Sequence, residues 1–386
     1  MTEFLSRNLA GLVPSDIRLM TRECQRIGGI NMGQGVCDLP TPPLVRDGAI
    51  AAIEARRSTY SYAEGARELR EAIASKLKRD NGIDADPETQ IVVTIGSTGA
   101  FTTAIVGLLN PGDGILIPEP YYGYHLNSAV LAGLEPQFLS LEPPEFPFTE
   151  DGLRSAIREN TRAIVICTPS NPSGKMFSAD ELAVLERVAC EKDLLVITDE
   201  IYEYIRYDGR RHISPATVGD LAERTVTLMG LSKTFSITGW RLGYATAPTA
   251  LAQRMTMVND IYYVCAPTPL QYGAAAGFAV GSAFFEDLAR SYQKKRDLFC
   301  AALRDAGFDP IVPQGAYYVL ADVSAHGFEK ARTAAMAILE QVGVACIPGT
   351  SFFQGSTGES LVRFCFATED SVLEEACRRI RSFRAG

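Results

Sequence analysis

The sequence predicts an α/β fold, in which helices cover both faces of a mostly parallel central sheet, with a smaller α+β domain beside it. Apolar strand candidates alternate with helical stretches through the middle of the chain. These candidates begin at or contain Ile91, Ile115, Ala163, Leu194, Thr225 and Leu242. Amphipathic segments such as residues 179–192 lie between them. A long charged helical pattern at 285–306 then precedes short strand candidates around 316–321 and 361–367. Strands that alternate with helices are typical of a parallel sheet.

The chain is long enough for two domains, since it has 386 residues of which 46% are hydrophobic. We predict that residues 1–40 form an N-terminal arm and part of the small domain. Residues 41–280 are expected to form the large domain, and residues 281–386 the small C-terminal domain. We expect residues 1–20 of the arm to lie over the functional site or over a partner subunit.

Composition and charge exclude several classes of protein. A formal net charge of -9 provides no basic field for nucleic acid or for an acidic membrane. Nine cysteines without a Cys-x-x-Cys pair predict reduced thiols and a cytoplasmic location. No secretory signal is evident in residues 1–20. The three histidines are far apart in the sequence, which argues against a histidine-rich metal site: His125, His212 and His326.

Residues 261–285 carry no charge and are the nearest approach to a membrane span. Pro267, Pro269 and Gln271 interrupt the apolar run, and the alanine-rich remainder is only weakly hydrophobic. Glycines recur there at helical spacing. We therefore expect a closely packed buried helix rather than a transmembrane one.

Lys233 is the most informative residue of the chain. It follows the apolar run 225–229, stands among small and hydroxylic residues, and precedes a second cation, Arg241, by eight positions. An amine held among apolar and cationic neighbours is biased toward its neutral, nucleophilic form, which Schiff-base chemistry with an aldehyde requires. An isolated Ser-Lys pair is more often a helix-capping lysine on a solvated turn. The neighbouring motifs therefore decide its interpretation.

Two other predicted strands end in polar side chains. Asp199 follows the buried-strand pattern of residues 194–198, and Asn171 lies in the turn after the strand candidate 163–168. Ligands of open α/β sheets bind at the carboxyl ends of strands, so we expect Asp199 at a ligand site and Asn171 at the same sheet edge. A carboxylate there can hold a pyridine nitrogen protonated. For Asp199 alone, a helix N-cap is the alternative.

Together these motifs resemble the class I and II aminotransferases, pyridoxal-phosphate enzymes of fold type I, over nearly the whole chain. The aspartate, aromatic and kynurenine-type enzymes are nearest in look. The resemblance implies that Lys233 forms the Schiff base with pyridoxal 5′-phosphate and that Asp199 pairs with the ring nitrogen. It also implies that Tyr202 and Asn171 contact the phenolic oxygen of the ring and that Arg241 binds the cofactor phosphate.

A phosphate site is predicted at the turn that contains Ser97 and Thr98. This Gly-Ser-Thr-Gly turn lies between the strand candidate 91–95 and an apolar helix expected from about Phe101. Free backbone amides at a helix start favour an anion. The resemblance assigns both hydroxyl residues, together with Ser232, to the cofactor. Taken alone, such a turn is more often only a connector.

Two tyrosines are assigned by the resemblance. Tyr122 is expected to stack on the cofactor ring, although a core or interface aromatic is the alternative. Tyr60 is expected to cross the interface of a homodimer and to reach the phosphate bound by the partner subunit. We choose it over Tyr62 because it precedes Gly65 by five residues.

The substrate is expected to contact Gly35, Asn171 and Arg363. A glycine allows a ligand to approach its backbone closely. Arg363 interrupts an apolar strand, and the pattern alone favours a position on a solvated face. The resemblance instead makes it the clamp for the α-carboxylate, to which the planar fork of an arginine is suited.

One position departs from the family pattern. Many relatives carry a hydroxyl residue three positions before the lysine, where it touches the phosphate, and here that position is Gly230. Ser232 or Thr98 is expected to compensate. Cofactor affinity is the property that this departure puts in doubt.

The predicted activity is ping-pong transfer of an amino group from an L-amino acid to a 2-oxo acid. A pyridoxal-phosphate-dependent β-lyase of the cysteine-conjugate type is the alternative, because residues 266–271 and 363–366 look like the kynurenine and glutamine transaminase branch. A non-catalytic cofactor-binding regulator is disfavoured. Such regulators carry an added basic DNA-binding domain, and the family signature already starts at Asn31.

Substrate choice is the least constrained property. The sequence alone places no arginine or lysine against a distal carboxylate, so we expect a neutral or aromatic donor rather than aspartate. Tyr121, Tyr124 and Tyr317 either line the substrate pocket or belong to the core.

Overall fold

The computed structural model describes residues 9, 12, 16–37 and 39–384. Asp38, which belongs to the predicted opening signature, lies outside the described residues, as do most of the first fifteen residues of the predicted arm. Helices and strands alternate through the described part of the chain, as the hydrophobic pattern predicts.

The strands of the described residues are numbered along the chain. They are β1 (Ile30–Asn31), β2 (Ile91–Ile95), β3 (Gly114–Glu119), β4 (Glu135–Ser140), β5 (Thr161–Cys167), β6 (Leu195–Asp199), β7 (Thr225–Gly230), β8 (Leu242–Thr246), β9 (Asp309–Ile311), β10 (Tyr318–Asp322), β11 (Val344–Ala345), β12 (Ile347–Pro348) and β13 (Leu361–Cys365).

The α-helices are numbered in the same way. They are α1 (Asp16–Ile27), α2 (Pro43–Glu54), α3 (Arg67–Lys76), α4 (Gly96–Leu108), α5 (Gly123–Leu131), α6 (Glu150–Ala156), α7 (Ala179–Glu191), α8 (Leu231–Thr234), α9 (Thr249–Tyr263), α10 (Thr268–Gly277), α11 (Ser282–Asp305), α12 (Ala331–Val342) and α13 (Asp370–Arg381).

A seven-stranded sheet has the order β2-β8-β7-β6-β5-β3-β4. All of its neighbouring pairs are parallel except the two that involve β8, which runs antiparallel to β7 and β2. The predicted α/β fold with a mostly parallel sheet is therefore confirmed. Because β8 reverses direction, the connection between β7 and β8 stays at the edge where the parallel strands end.

Strand β4 is the one strand of this sheet that the sequence analysis did not identify. It pairs only with β3 at the edge of the sheet, and its sequence contains Pro136 and the polar Gln137. A proline is tolerated on an edge strand, where its missing N–H needs no partner. The apolar run that reveals the central strands is therefore absent here.

A second, antiparallel sheet has the order β12-β13-β10-β9, and β1 pairs in parallel with β11. The N-terminal strand thus joins the C-terminal part of the chain. The predicted long helix at 285–306 corresponds to α11, and the two short predicted strands correspond to β10 and β13. The domain limits at residues 40 and 280 stay a prediction.

The uncharged segment 261–285 forms the end of α9, all of α10 and the start of α11. Gly273 and Gly277 allow α10 to lie against α2, because a Cβ at either residue would come within 2.6 Å of Val45 atoms. No helix in the described part of the chain is long and apolar enough to cross a membrane. The described residues also contain no cluster of three or more His, Cys, Asp and Glu side chains that suits a metal ion.

Candidate active site

A cavity of about 740 Å³ lies at the carboxyl edge of the seven-stranded sheet. Most of the side chains singled out from the sequence line it. They are Gly35, Ser97, Thr98, Tyr122, Asn171, Asp199, Tyr202, Ser232, Lys233, Arg241 and Arg363. Segments distant in sequence are therefore brought together at one site.

The strand ends explain this convergence. Asp199 is the last residue of β6, Asn171 follows β5, and Tyr122 follows β3. Lys233 lies in the single turn of α8 directly after β7. Helix α4 begins at Gly96, five residues earlier than expected, so the predicted phosphate turn is the first turn of the helix itself. Its free N–H groups therefore point toward the same edge.

The amine of Lys233 is partly buried beneath the cavity. Its Nζ donates to the carbonyl oxygen of Gly35 at 2.9 Å and lies 5.5 Å from the ring centroid of Tyr317. Burial lowers the pKa of this lysine, and the nearby guanidinium of Arg241 contributes in the same direction. Lys233 therefore loses its proton at lower pH than a solvent-exposed lysine, and the neutral amine is the nucleophilic form.

The carboxylate of Asp199 is buried and is oriented by a residue that the sequence analysis did not single out. His125, on α5, places its Nε2 3.0 Å from the Asp199 Oδ2. The imidazole packs edge-on against Tyr122, with ring centroids 5.4 Å apart. These contacts hold Asp199 with one carboxylate edge toward His125. Nothing in the sequence near His125 indicates a contact with Asp199, because α5 and β6 meet only through tertiary packing.

Arg363 is buried, with 1% of its surface exposed, so the solvated face favoured by the pattern alone is wrong. Its Nη1 donates to the Asn171 Oδ1 at 2.8 Å and its Nη2 to the carbonyl oxygen of Gly33 at 2.6 Å. The guanidinium lies 4.4 Å from the ring centroid of Tyr318 and 4.6 Å from that of Phe352. Its Nε has no partner among the described residues. A buried, unpaired donor is costly unless a ligand satisfies it.

Tyr318 is a second residue that the sequence analysis missed. Its hydroxyl lies 3.1 Å from that of Tyr202, and burial raises the pKa of both phenols. Pairing of β10 with β13 puts Tyr318 opposite Cys365, on the same face as Arg363. The neighbouring Tyr317 precedes β10 and also packs against Tyr202, with ring centroids 5.1 Å apart.

Gly35 must be a glycine because of Tyr318. A Cβ at Gly35 would lie 1.9 Å from the Tyr318 hydroxyl oxygen. The carbonyl oxygen of Gly35 also accepts from the Lys233 amine and, at 3.4 Å, from the Tyr317 hydroxyl. The backbone here therefore lies directly against the site.

Arg241 closes the end of the cavity that lies at α4. Its backbone is left-handed, with φ of 56°, and its Nη1 donates to the carbonyl oxygen of Thr238 at 3.1 Å. A Cβ at Gly96 would come within 2.6 Å of its Nη2, so the absence of a side chain lets the guanidinium approach the helix start. A cation and free amides together favour an anion there.

Gly230 is packed against Ile201, which also lines the cavity. A Cβ at Gly230 would lie 3.2 Å from the Ile201 Cβ and 3.9 Å from the Ser97 Cβ. A hydroxyl residue at this position would press on Ile201. Ser232 and Thr98, the two residues expected to compensate, both line the cavity.

Tyr60 does not reach this cavity from its own chain. Its side chain is 80% exposed, and that of Tyr62 is 70% exposed. Of the three tyrosines considered for the substrate pocket, Tyr124 lines the cavity. Tyr317 is buried beneath Lys233, and Tyr121 faces a neighbouring cavity, where it accepts from the Gln354 Nε2 at 2.7 Å.

Two cations on α1 also line the cavity, although no local sequence pattern predicts their position. They are Arg18 and Arg22, accompanied by Ile17 and Thr21 of the same helix. The position of α1 depends on the pairing of β1 with β11, which joins the two ends of the chain. Ile17 and Arg18 belong to the predicted arm.

Comparison with known proteins identifies the family. The family described as aminotransferase class I and II matches residues 27–380. The chain belongs to the class I and II aminotransferases. This aminotransferase is a pyridoxal-phosphate-dependent enzyme of fold type I, and the resemblance noted in the sequence is confirmed.

Relatives with different printed substrates are similar to this aminotransferase. Aromatic-amino-acid aminotransferase 2 of Thermococcus litoralis is 35% identical over 380 residues, which is 97% of each chain. The structure of N-succinyldiaminopimelate aminotransferase from Mycobacterium tuberculosis has a TM-score of 0.95 at 34% identity, covering 98% of this chain and 99% of that one. Thermus thermophilus aspartate aminotransferase with maleate has a TM-score of 0.90 at 32% identity, covering 97% and 98%.

The residues of this aminotransferase fit its cofactor. Pyridoxal 5′-phosphate carries an aldehyde, a ring nitrogen and a phosphate, and the cavity offers an amine, a buried carboxylate and an anion site at the start of α4. Gly243 packs so closely beside α4 that a Cβ there would lie 2.6 Å from the Ser97 backbone nitrogen. Strand β8 thus supports the first turn of the helix.

Proposed function

We propose that this aminotransferase moves an amino group between an L-amino acid and a 2-oxo acid by a ping-pong mechanism, with Lys233, Asp199 and Tyr202 as its catalytic residues. One observation carries the assignment of residues. A lysine with a lowered pKa, a buried carboxylate and a buried arginine face one cavity at the carboxyl edge of the sheet. When bound, pyridoxal 5′-phosphate supplies an aldehyde for the amine and a ring that accepts electron density.

Lys233 is the proton carrier. Among the described residues that line the cavity, Lys233 is the only lysine, and burial lowers its pKa. A neutral amine takes the α-proton of the substrate as a general base and returns it as a general acid. The Gly35 carbonyl oxygen lies 2.9 Å from Nζ and holds the amine in position for both proton transfers.

Asp199 holds a proton at the ring nitrogen. Its carboxylate is buried, so its charge acts in a medium of low dielectric constant, where electrostatic stabilisation is strong. His125 fixes the orientation of the carboxylate through the 3.0 Å contact. Tyr202 and Asn171 bind the phenolic oxygen of the ring, with Tyr202 supported by the Tyr318 hydroxyl. Tyr122 would stack against the bound ring.

Arg363 binds the α-carboxylate of the substrate, beside Gly35 and Asn171. Each of its Nη atoms donates to one acceptor and keeps a second N–H, and its Nε has no partner among the described residues. N–H groups therefore remain for a carboxylate, which an arginine binds through two parallel hydrogen bonds. The rings of Tyr318 and Phe352 keep the guanidinium in place.

The phosphate is bound at the start of α4 by Ser97, Thr98, Ser232 and Arg241. These residues combine free helix amides, hydroxyl groups and a cation, which suits a dianion. In this arrangement the missing hydroxyl at Gly230 is replaced by neighbouring ones.

We infer that the enzyme is a homodimer, in which Tyr60 reaches the phosphate site of the partner subunit. Tyr60 and Ile261 are 80% and 76% exposed, far above the usual exposure of large apolar side chains. Further large apolar side chains are exposed on α2 and α9: Leu44, Ile50, Ile53, Met257 and Tyr262. Ser61 is fixed to α10, because its backbone N–H donates to the Thr268 hydroxyl and its Oγ accepts from Gln271. An exposed apolar surface of this kind marks an interface.

Replacing Tyr60 by phenylalanine is expected to weaken cofactor binding about ten- to hundredfold, because a hydrogen bond to a charged group is lost. The Tyr62→Phe variant is the control and should bind the cofactor normally. The measurement is equilibrium titration of the apoenzyme with cofactor.

Mixed dimers test whether Tyr60 acts across the interface. A dimer that combines one Tyr60→Phe chain with one Lys233→Ala chain contains one intact site if Tyr60 acts in the partner subunit. Half of the sites should then bind the cofactor with normal affinity and be active. If the active sites of the mixed dimer instead show the weakened affinity of Tyr60→Phe, the assignment across the interface is wrong.

The activity is tested by visible absorption of the holoenzyme, before and after adding single amino acids without an acceptor. Conversion of the cofactor band to that of pyridoxamine phosphate, and its return on adding a 2-oxo acid, is expected. Release of pyruvate and ammonia from a cysteine conjugate without any acceptor would instead favour β-elimination. A cytoplasmic location stays a prediction.

A further inference from the structure

Helix α1 forms one wall of the active-site cavity and is fixed in place. Asp16 accepts from the Arg332 Nη2 at 2.5 Å and from the Ser351 hydroxyl at 2.8 Å. Near the middle of the helix, Thr21 accepts from the Asn31 Nδ2 at 3.1 Å. Met20 and Cys24 are buried on the opposite side. The contacts of Asp16 and the burial of Met20 and Cys24, none of which lines the cavity, thus determine which side of α1 faces it.

Two arginines lie on that side, at positions separated by one helical turn. Arg18 and Arg22 both line the cavity, and residues four positions apart on a helix are neighbours on its surface. Neither forms an ion pair within the described part of the chain, whereas Arg26 of the same helix pairs with Glu23 at 2.7 Å. Both side chains are exposed, and an anion bound between them would remove the repulsion between two like charges four positions apart.

The charges around the cavity are strongly unbalanced. The described lining residues include one carboxylate, that of Asp199, and five basic side chains: Arg18, Arg22, Lys233, Arg241 and Arg363. The proposed function uses three of these basic side chains, with the cofactor phosphate at Arg241, the cofactor aldehyde at Lys233 and the substrate α-carboxylate at Arg363. Arg18 and Arg22 have no ligand in the proposed function and are available to bind a further negative group.

We propose that Arg18 and Arg22 determine specificity by binding the side-chain carboxylate of a dicarboxylic amino acid or 2-oxo acid. The inference rests on the proposed function and names its substrate class. An arginine fork matches a carboxylate in shape and charge, and it distinguishes a carboxylate from an amide of nearly the same size. This assignment replaces the neutral or aromatic preference drawn from the sequence.

The test compares acids with their amides. Half-reactions of the holoenzyme with glutamate and glutamine, and with aspartate and asparagine, are followed by the absorbance of the bound cofactor. Wild-type enzyme is expected to prefer at least one acid over its amide. In the Arg18→Gln, Arg22→Gln double variant that preference should fall about ten- to hundredfold, because charge-assisted hydrogen bonds are lost. The loss should fall on the acid, while the rate with the amide stays within about threefold of wild type.

Two further variants separate specificity from folding. Arg26→Gln alters the same helix outside the cavity and should keep the wild-type preference. The Arg18→Lys, Arg22→Lys variant keeps both charges and should recover part of the acid preference, which a merely structural role would not produce.

An unchanged acid-to-amide ratio in the double glutamine variant, or equal losses with acid and amide, would overturn the assignment. So would a wild-type enzyme that reacts with neutral donors but prefers neither acid. In that case the proposed transamination stands and only the specificity residues are wrong. If no amino acid changes the cofactor spectrum of the wild-type enzyme, the proposed function fails as well.

Discussion

Replacing Lys233 by alanine is expected to lower transamination by at least about a thousandfold, because the group that carries the substrate proton is removed. No other lysine is among the described residues that line the cavity. Lys233 lies in α8, directly after β7, and no neighbouring lysine of this helix can replace it in the proton transfer. The measurement is the single-turnover rate of the amino-acid half-reaction with saturating cofactor.

Two variants control this experiment. Lys233→Arg keeps a cation at the site but cannot act as a neutral amine at working pH, so it should be as inactive as the alanine variant. Lys330→Ala removes a surface lysine, 66% exposed and paired with Glu359, and should remain fully active. Thermal unfolding of all three variants shows whether the fold is retained. Activity of Lys233→Ala within tenfold of wild type would contradict the role of Lys233.

Replacing Asp199 by asparagine is expected to lower kcat about a hundred- to a thousandfold, which is typical for the loss of one preorganised electrostatic contact. Asparagine keeps the size of the side chain and a polar group opposite His125, but it removes the buried negative charge. The ring nitrogen then loses the charge that keeps it protonated. The measurement is kcat together with cofactor affinity, and we expect the larger effect on kcat.

The charge and the position of this carboxylate can be separated. Asp199→Glu keeps the charge but displaces it, and is expected to recover part of the activity lost in Asp199→Asn. Asp193→Asn alters an aspartate whose side chain is 94% exposed, and should leave kcat unchanged. If Asp199→Asn retains kcat within about threefold of wild type, the carboxylate has no electrostatic role in the reaction.

The central strands were predictable because burial on both faces leaves a continuous apolar run. Strands β5 and β7 lie between two neighbours and are almost entirely buried, so residues 163–167 and 225–229 were recognisable from composition alone. Strand β4 has one neighbour and exposed ends, and it was missed. The antiparallel direction of β8 depends on how the short segment 231–241 folds back, which hydrophobic periodicity does not encode.

Site residues next to strand ends were predictable for a related reason. Asp199 and Asn171 follow buried strands, and the carboxyl ends of parallel strands meet at one edge, so their local position already indicates a shared site. Tyr318 and Arg18 reach the cavity, and His125 reaches Asp199, by packing between elements far apart in the chain. Their sequence neighbourhoods are those of ordinary helical or strand residues, so no local pattern distinguishes them.

Lys233 is expected to bind pyridoxal 5′-phosphate covalently. Borohydride converts a carbon–nitrogen double bond between a lysine and an aldehyde into a stable secondary amine. The direct measurement is therefore peptide mass mapping of the borohydride-reduced holoenzyme. We expect the added mass of the cofactor on the peptide that contains Lys233, and its absence from that peptide in Lys233→Arg. The same added mass on a different lysine of the wild-type enzyme, with the Lys233 peptide unmodified, would contradict it.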